Sequence, residues 1–326
     1  MRTRRLKSSS DPVPREHGNP KGELEAGHRT VLLHEAIEQL AIQPSDVIVD
    51  ATLGGGGHAR SIAKLLGKKG VLIGIDADEA AVLRAGEALK DIVTPEIHLV
   101  VANFRDISRE LGKLGVTSVD KVLFDLGWSG YQLDSGRGFS FQKDEPLLMT
   151  YSEKPGPDDL TAGKIVNEWA EESIADIIFG WGEERYSRRI ARMIVEHRAK
   201  NPFRTSHQLG DAIKEAVPPA YRYGRIHPAT RTFQALRIAV NDELGALKSG
   251  LFGAWHHLAP NGRIAVITFH SVEDREVKRL MTAWEVAKEG KRIKRKPTLP
   301  SKDEISANPR ARSAKLRVIE KTISTE

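Results

Sequence analysis

Four consecutive glycines follow an acid in Asp50-Ala51-Thr52-Leu53-Gly54-Gly55-Gly56-Gly57-His58, a spacing that suits a ligand-binding loop. Glycine lacks Cβ, so such a loop turns sharply and lets a ligand approach the backbone. With Ala59 it also satisfies the loose Gly-x-Gly-x-x-Ala pattern of dinucleotide sites. The carboxylate of Asp50 weighs against that reading: it opposes a pyrophosphate but pairs with a cationic amino-acid moiety, as in S-adenosylmethionine. Asp76, at the end of a second apolar run, suits a ribose diol with either ligand; a solvated strand-end acid is the plainer alternative. Asp125-Leu126-Gly127 closes a fourth run, where a methyltransferase presents the reacting nitrogen.

These residues need strands that end on one side. Val47-Ile48-Val49 is short and β-branched, and a helix through Ile62, Leu65 and Leu66 follows the glycines. Gly70–Ile75 predicts a second strand, with a helix from about Glu79 to Leu89. Ile97–Val101 and Val119–Phe124 predict two more strands. Apolar strands alternating with helices indicate an α/β fold, a doubly wound parallel sheet covered on both faces. Its ligands bind beyond the carboxyl ends of the strands, where strand order reverses.

The alternation breaks near residue 140. Pro146, Pro155 and Pro157 mark a loop over 140–159, and 160–235 reads as helix throughout. It then resumes with one helix from Phe233 to about His257, a Pro260-Asn261-Gly262 turn, a strand over Ile264–Phe269 and a last strand at Lys315–Ile319. An earlier helix is expected from Val31 to Ala41, stopped by Pro44. The expected organisation is a flexible basic extension (1–27), a first part of the α/β domain (28–140), an inserted helical subdomain (141–232) and the second part of the domain (233–326).

Bulk properties narrow the classes. Among 326 residues there is no cysteine, which excludes disulfides, thiolate metal sites and a cysteine nucleophile. Nothing in the sequence calls for a metal. The apolar runs are too short to span a bilayer, and Ser and Pro follow the first arginines where a signal peptide needs an apolar stretch, so a cytoplasmic protein with no membrane partner is expected. A net charge of +6 leans towards a polyanionic partner. Residues 185–231 concentrate that charge, with eleven Arg and Lys against three acids, and Tyr221 and Tyr223 interleave with Arg222 and Arg225. Arg188, Arg189, Arg222, Arg225 and Arg231 are the candidate RNA contacts, and Lys291–Lys296 adds a second run.

Longer motifs sharpen this picture. Gln132-Leu133-Asp134 and Arg137-Gly138-Phe139-Ser140-Phe141 follow Asp125. Farther on stand His227-Pro228-Ala229-Thr230-Arg231-Thr232-Phe233-Gln234-Ala235-Leu236-Arg237-Ile238, Phe269-His270-Ser271-Val272-Glu273-Asp274-Arg275, and Asn308-Pro309-Arg310-Ala311-Arg312-Ser313-Ala314-Lys315-Leu316-Arg317. From about His28 to Glu320 the chain closely resembles the bacterial small-subunit ribosomal RNA (cytosine-N4)-methyltransferase family (RsmH/MraW). The resemblance implies a class I S-adenosylmethionine-dependent methyltransferase fold with a helical insertion, S-adenosylmethionine as cofactor, and N4-methylation of a cytosine near the decoding site of 16S ribosomal RNA. The implied partner is that RNA or the small ribosomal subunit. Carried onto matching positions, the cofactor contacts are Gly56, Gly57, His58, Asp76, Phe104, Asp125 and Gln132; the residue reading adds Asp50 and Gly54.

Three segments depart from the family pattern. Asp50-Ala51-Thr52 stands for Asp-Gly-Thr, Trp128-Ser129-Gly130 for Val-Ser-Ser, and Pro146-Leu147-Leu148-Met149-Thr150-Tyr151 for Pro-Leu-Asp-Met-Arg-Met. The last loses an acid and an arginine. For chemistry, Asp125 is the candidate catalytic residue, with main-chain carbonyls of 126–128, because acceptors aimed at the N4 hydrogens localise the amine lone pair. Asp125 acting only on the cofactor is the alternative. His270, brought to the same pocket by the strand at 264–269, is a second candidate, either orienting base or phosphate or merely capping the next helix with Ser271. Trp128 or Phe139 is placed to stack an extruded base or to serve as core.

Overall fold

The computed structural model describes residues 30–127, 135–152 and 154–323. The extension at 1–27, Trp128 and Gln132 lie outside them.

Seven strands form one sheet: β1 (Val47–Asp50), β2 (Val71–Asp76), β3 (Glu96–Val101), β4 (Val119–Asp125), β5 (Leu258–Thr268), β6 (Gly290–Arg292) and β7 (Lys315–Lys321). Their order is β3-β2-β1-β4-β5-β7-β6. The first five are parallel neighbours, and β7 runs antiparallel between β5 and β6. Alternation along the strands feeds two separate cores. Ile48, Leu72, Leu123, Ala265 and Ile267 point to one face, where they pack with Ala59, Ile62 and Ala85 from the helices Gly57–Ala63 and Glu79–Leu89. Val49, Ile73, Val122, Phe124 and Val266 point to the other, against Ile107, Leu251 and Met281. With both faces covered, the central strands β1 and β2 are almost wholly apolar up to their terminal acids. This is the doubly wound α/β sheet that the sequence predicts. Strand order reverses between β1 and β4, whose carboxyl ends carry Asp50 and Asp125.

A third core is mainly helical. Ile165, Ile174, Ile190, Ile194, Leu209 and Ile213 are fully buried in it, on the helices Ala162–Glu168, Glu171–Gly180, Ser187–Arg198 and Ser206–Ala216. Phe139 and Phe233 join it from either side of the expected insertion, and the helix Ala229–Asn241 runs through residue 232.

Two expected elements differ. The single helix from Phe233 to His257 is two helices, Ala229–Asn241 and Glu243–His257, parted at Asp242 with φ 45°. The Asp242 carbonyl accepts from Ala246 N at 2.9 Å to start the second helix and also from Arg105 at 3.1 Å, while the Asn241 amide binds the Met149 carbonyl at 2.8 Å. Long-range partners thus break a helix that lacks a local stop signal. The Pro260-Asn261-Gly262 turn lies inside β5, where Asn261 takes φ 62° and the pairing with β4 shifts register. Among the described residues, no helix is long and apolar enough to cross a membrane.

Candidate functional site

A cavity of about 740 Å³ opens at the carboxyl ends of β1, β2 and β4. Its first end is the glycine loop. Gly54 and Gly56 hold φ 51° and 79°, the left-handed region that favours glycine. Asp76 fixes the loop, its Oδ2 accepting from Gly54 N at 2.8 Å and its Oδ1 from Asp78 N at 2.9 Å. Burial raises the Asp76 carboxyl above its ordinary range. Gly54, Gly55, Gly57 and His58 line the cavity, and a Cβ on Gly55 would meet nothing within 4 Å. Gly56 is turned the other way: a Cβ there would meet Ala85 at 3.2 Å, so its part is the turn and the packing beneath.

Asp50 and Asp125 stand at neighbouring strand ends. The Asp50 carboxylate is 1% exposed, and its Oδ1 accepts weakly from Thr52 N at 3.3 Å. Asp125 donates its backbone N–H to the Thr52 hydroxyl at 2.5 Å, and its Oδ2 lies 3.6 Å from His58 Nδ1. Asp50 Oδ2 and Asp125 Oδ1 are both buried without a hydrogen-bond partner. Burial pushes Asp50 up to about 7 against its backbone hydrogen bonds, with the nearby charge of Asp76 adding to the rise. Burial, then the charge of Asp50, pushes Asp125 up to about 7 as well. Asp125 lines the cavity and Asp50 is buried at the neighbouring strand end, and together they leave negative charge for a cationic ligand to satisfy.

Phe104 supplies an aromatic wall. It meets Phe124 edge-on at 5.7 Å and lies so close to Gly250 that a Cβ there would fall 2.7 Å from its ring. Asn103 precedes it in the cavity wall, its side chain accepting from Arg105 N. These groups fit S-adenosylmethionine: Asp125, with Asp50 buried beside it, would offset its cationic part, Asp76 can accept from ribose hydroxyls, and Phe104 offers a face to adenine.

The second end of the cavity joins residues from three separate sequence motifs to Asn241 and Glu243, which no motif contains. Leu126 and Gly127 continue from Asp125, and Tyr151, Asn241, Glu243 and Glu273 close it. The Tyr151 hydroxyl donates to Glu243 at 2.6 Å, and Arg237 grips Glu243 with two hydrogen bonds of 2.7 and 3.0 Å. Burial and Glu243 push the Tyr151 hydroxyl well above its usual range. Tyr151 closes the divergent 146–151 segment, so the departure lies in the cavity wall itself. Phe139 stacks behind Tyr151 at 6.2 Å and is buried in the helical core, which assigns it to packing.

His270 sits at the entrance to the helix Ser271–Val286 as its N-cap, Nδ1 accepting from Glu273 N at 3.4 Å and Nε2 lying 3.0 Å from Glu273 Oε1. β5 does lie beside β4, yet it is Glu273 that reaches the cavity wall. Ser271 turns instead to Glu183. Glu243, His270 and Glu273 hold donor atoms within 4.8 Å of one another, the spacing of a metal site, but the Arg237 guanidinium already supplies the cation there.

The arginines divide by partner. Arg188, Arg189 and Arg225 are exposed. Arg222 is spent on the backbone carbonyls of Val217 and Glu215, and Arg231 binds the Glu183 carbonyl at 2.8 Å. The Lys291–Lys296 run begins in β6, the outermost strand, where Arg292 pairs with Glu285.

Residues 25–322 match the model described as the MraW methylase family. Over 310 residues the chain is 48% identical to the ribosomal RNA small subunit methyltransferase H of Brevibacillus brevis, covering 90% of this chain and 98% of that protein. It is 46% identical to the protein of the same name from Symbiobacterium thermophilum, with 90% and 96% covered. Against the one from Deinococcus radiodurans it is 47% identical, with 92% and 91% covered.

Proposed function

The chain belongs to the MraW methylase family, and from that membership and the two-ended cavity we propose that it transfers a methyl group from S-adenosylmethionine to N4 of a cytosine in small-subunit (16S) ribosomal RNA, near the decoding site, in the cytoplasm. The observation that carries this reading is Asp125. It stands where the cofactor end meets the acceptor end, with a buried Oδ1 that lacks a partner.

S-adenosylmethionine supplies a methyl on a sulfonium, so the protein's work is alignment and proton handling. Asp50, the glycine loop, Asp76 and Phe104 hold the cofactor. The exocyclic amine of cytosine is a poor nucleophile because its lone pair is spread into the ring. Asp125 Oδ1 accepts one of its hydrogens, with the carbonyls of Leu126 and Gly127 as further acceptors, and so localises that pair on nitrogen. With the cofactor bound, the amine nitrogen would exchange one proton for the methyl group that the sulfonium supplies. Ionised beside the bound cation, the Asp125 carboxylate is placed to take that proton and pass it to water. Tyr151, Asn241 and Glu273 form the wall for the extruded base, and His270 acts through Glu273 as a positioning residue.

The test uses small subunits lacking the modification, methyl-labelled cofactor, and mass location of the modified nucleotide. Label on cytosine N4 near the decoding site is expected. Label on another nucleotide, or none, rejects the assignment. Asp125→Ala should lower methyl transfer at saturating cofactor by about a hundredfold or more; an unchanged rate would remove Asp125 from the chemistry.

A further inference from the structure

A second hollow of about 350 Å³ opens in the helical region between Arg185, Tyr221, Gly224, Arg225, Ile226 and Arg231. Its charge is one-sided. Among the described residues, none of the three guanidiniums lies within ion-pair distance of a carboxylate. The two nearest acids are committed elsewhere: Glu183 accepts from Ser271 and Arg275, while buried Glu184 accepts from the Tyr221 hydroxyl at 2.6 Å and from Tyr186 N at 2.9 Å. Arg185 lies over the Tyr186 ring at 4.8 Å and the Tyr221 ring at 4.9 Å, and the two rings meet edge-on at 4.9 Å. The aromatic floor is therefore fixed from beneath by a buried carboxylate, while the exposed arginines Arg185 and Arg225 stand at the rim.

Guanidiniums fork onto phosphate oxygens, and a pinned tyrosine face stacks a base of any identity. An acidic peptide would use the charge but not the ring or the half-exposed Ile226. The hollow is also joined to the main cavity through one short segment. Glu183 takes φ 52°, gives its carbonyl to Arg231, and sends its side chain to Ser271, next to His270. His270 contacts Glu273 in the main cavity wall.

We propose that this hollow is a second nucleotide subsite, taking the phosphate and base of a nucleotide that flanks the target cytosine in single-stranded RNA. The proposal rests on the reading of RNA as substrate. It makes Arg185, which the charge count alone does not distinguish, the principal contact, and it removes Arg222 from the RNA surface.

The test is equilibrium binding of the full chain to a fluorescein-labelled single-stranded RNA containing the target cytosine and its neighbours, titrated over a range of salt. Arg185→Ala/Arg225→Ala should weaken Kd about tenfold to a hundredfold and reduce the slope of log K against log salt by about one to two. Methylation kinetics should place the loss in KM for RNA rather than in kcat, with Kd for cofactor within twofold of the parent protein. Tyr221→Leu should cost about tenfold in RNA affinity, and Tyr221→Phe, which keeps the ring, should restore it. A double variant with the parent Kd and salt slope overturns the subsite. So does competition by polyglutamate as strong as by oligouridylate, which would assign the hollow to an acidic protein. A parent protein that binds RNA through these residues yet methylates no cytosine would reject the proposed reaction and leave the subsite standing.

Discussion

Cofactor binding should carry protons with it. Burial lifts Asp50 from 3.8 to about 7 in the cofactor-free protein, and burial with the charge of Asp50 lifts Asp125 to about the same value. At about 1.4 kcal/mol per pKa unit, the Asp50 shift corresponds to about 4 kcal/mol of preference for the neutral form. Asp125 weighs less, because its side chain is 18% exposed and solvent screens it. A carboxyl raised on folding holds a proton that the unfolded chain has already lost. These groups therefore contribute stability that is fully present below the unfolded value and is lost as pH rises through about 7. A bound cation has the opposite preference, since it needs the carboxylates ionised.

About a tenth of Asp50 is ionised at pH 6 and about nine-tenths at pH 8. Kd for S-adenosylmethionine should thus be about tenfold weaker at pH 6 than at pH 8 if Asp50 alone is coupled, and up to about a hundredfold weaker if both acids must ionise. Calorimetry at pH 7 in buffers of different ionisation enthalpy should register about half a proton released per coupled group. Asp50→Asn should flatten most of the dependence and leave the affinity weak at every pH. A Kd constant within twofold from pH 6 to 8, with no buffer-dependent heat, would refute the coupling of these acids to the cofactor.

Further substitutions separate ligand contact from folding. Gly55→Ala adds a methyl that meets no protein atom within 4 Å, so the melting temperature should hold while cofactor Kd weakens several-fold; an unchanged Kd would remove Gly55 from the cofactor surface. Gly182→Ala would bring a Cβ to 2.5 Å from the Arg231 carbonyl and 2.6 Å from that of Ile178, so thermal unfolding should show a loss of about 1–3 kcal/mol. Arg237→Leu strands the buried Glu243 carboxylate and should cost about 3–5 kcal/mol in denaturant unfolding, more than Tyr151→Phe at about 1 kcal/mol. Equal costs would mean that Arg237 does not carry that charge.

The cofactor end of the site was legible because each contact there is local to a strand and its exit loop. An apolar run ending in an acid marked Asp50, Asp76 and Asp125, and the parallel register set them side by side. Helix Glu79–Leu89 appeared at the predicted limits because Asp78, its N-cap, accepts from Ala80 N, a signal within three residues. The acceptor end has no such signal. Tyr151, Asn241, Glu243 and Glu273 come from segments more than a hundred residues apart at the extremes, and the turn at Asp242 that joins two of them is held from a distance by Arg105. Composition likewise counted arginines without saying which of them backbone carbonyls would claim, so Arg222 was over-weighted and Arg185 passed over. The same long-range contacts carry a functional consequence. Through Glu183, the turn bearing the arginine hollow is tied to Ser271 and Arg275 on the helix that also presents Glu273. The segment proposed to grip RNA and the wall proposed to face the base are thereby tied to one helix. On the proposed reading, the register of the RNA in the hollow then sets which cytosine reaches Asp125.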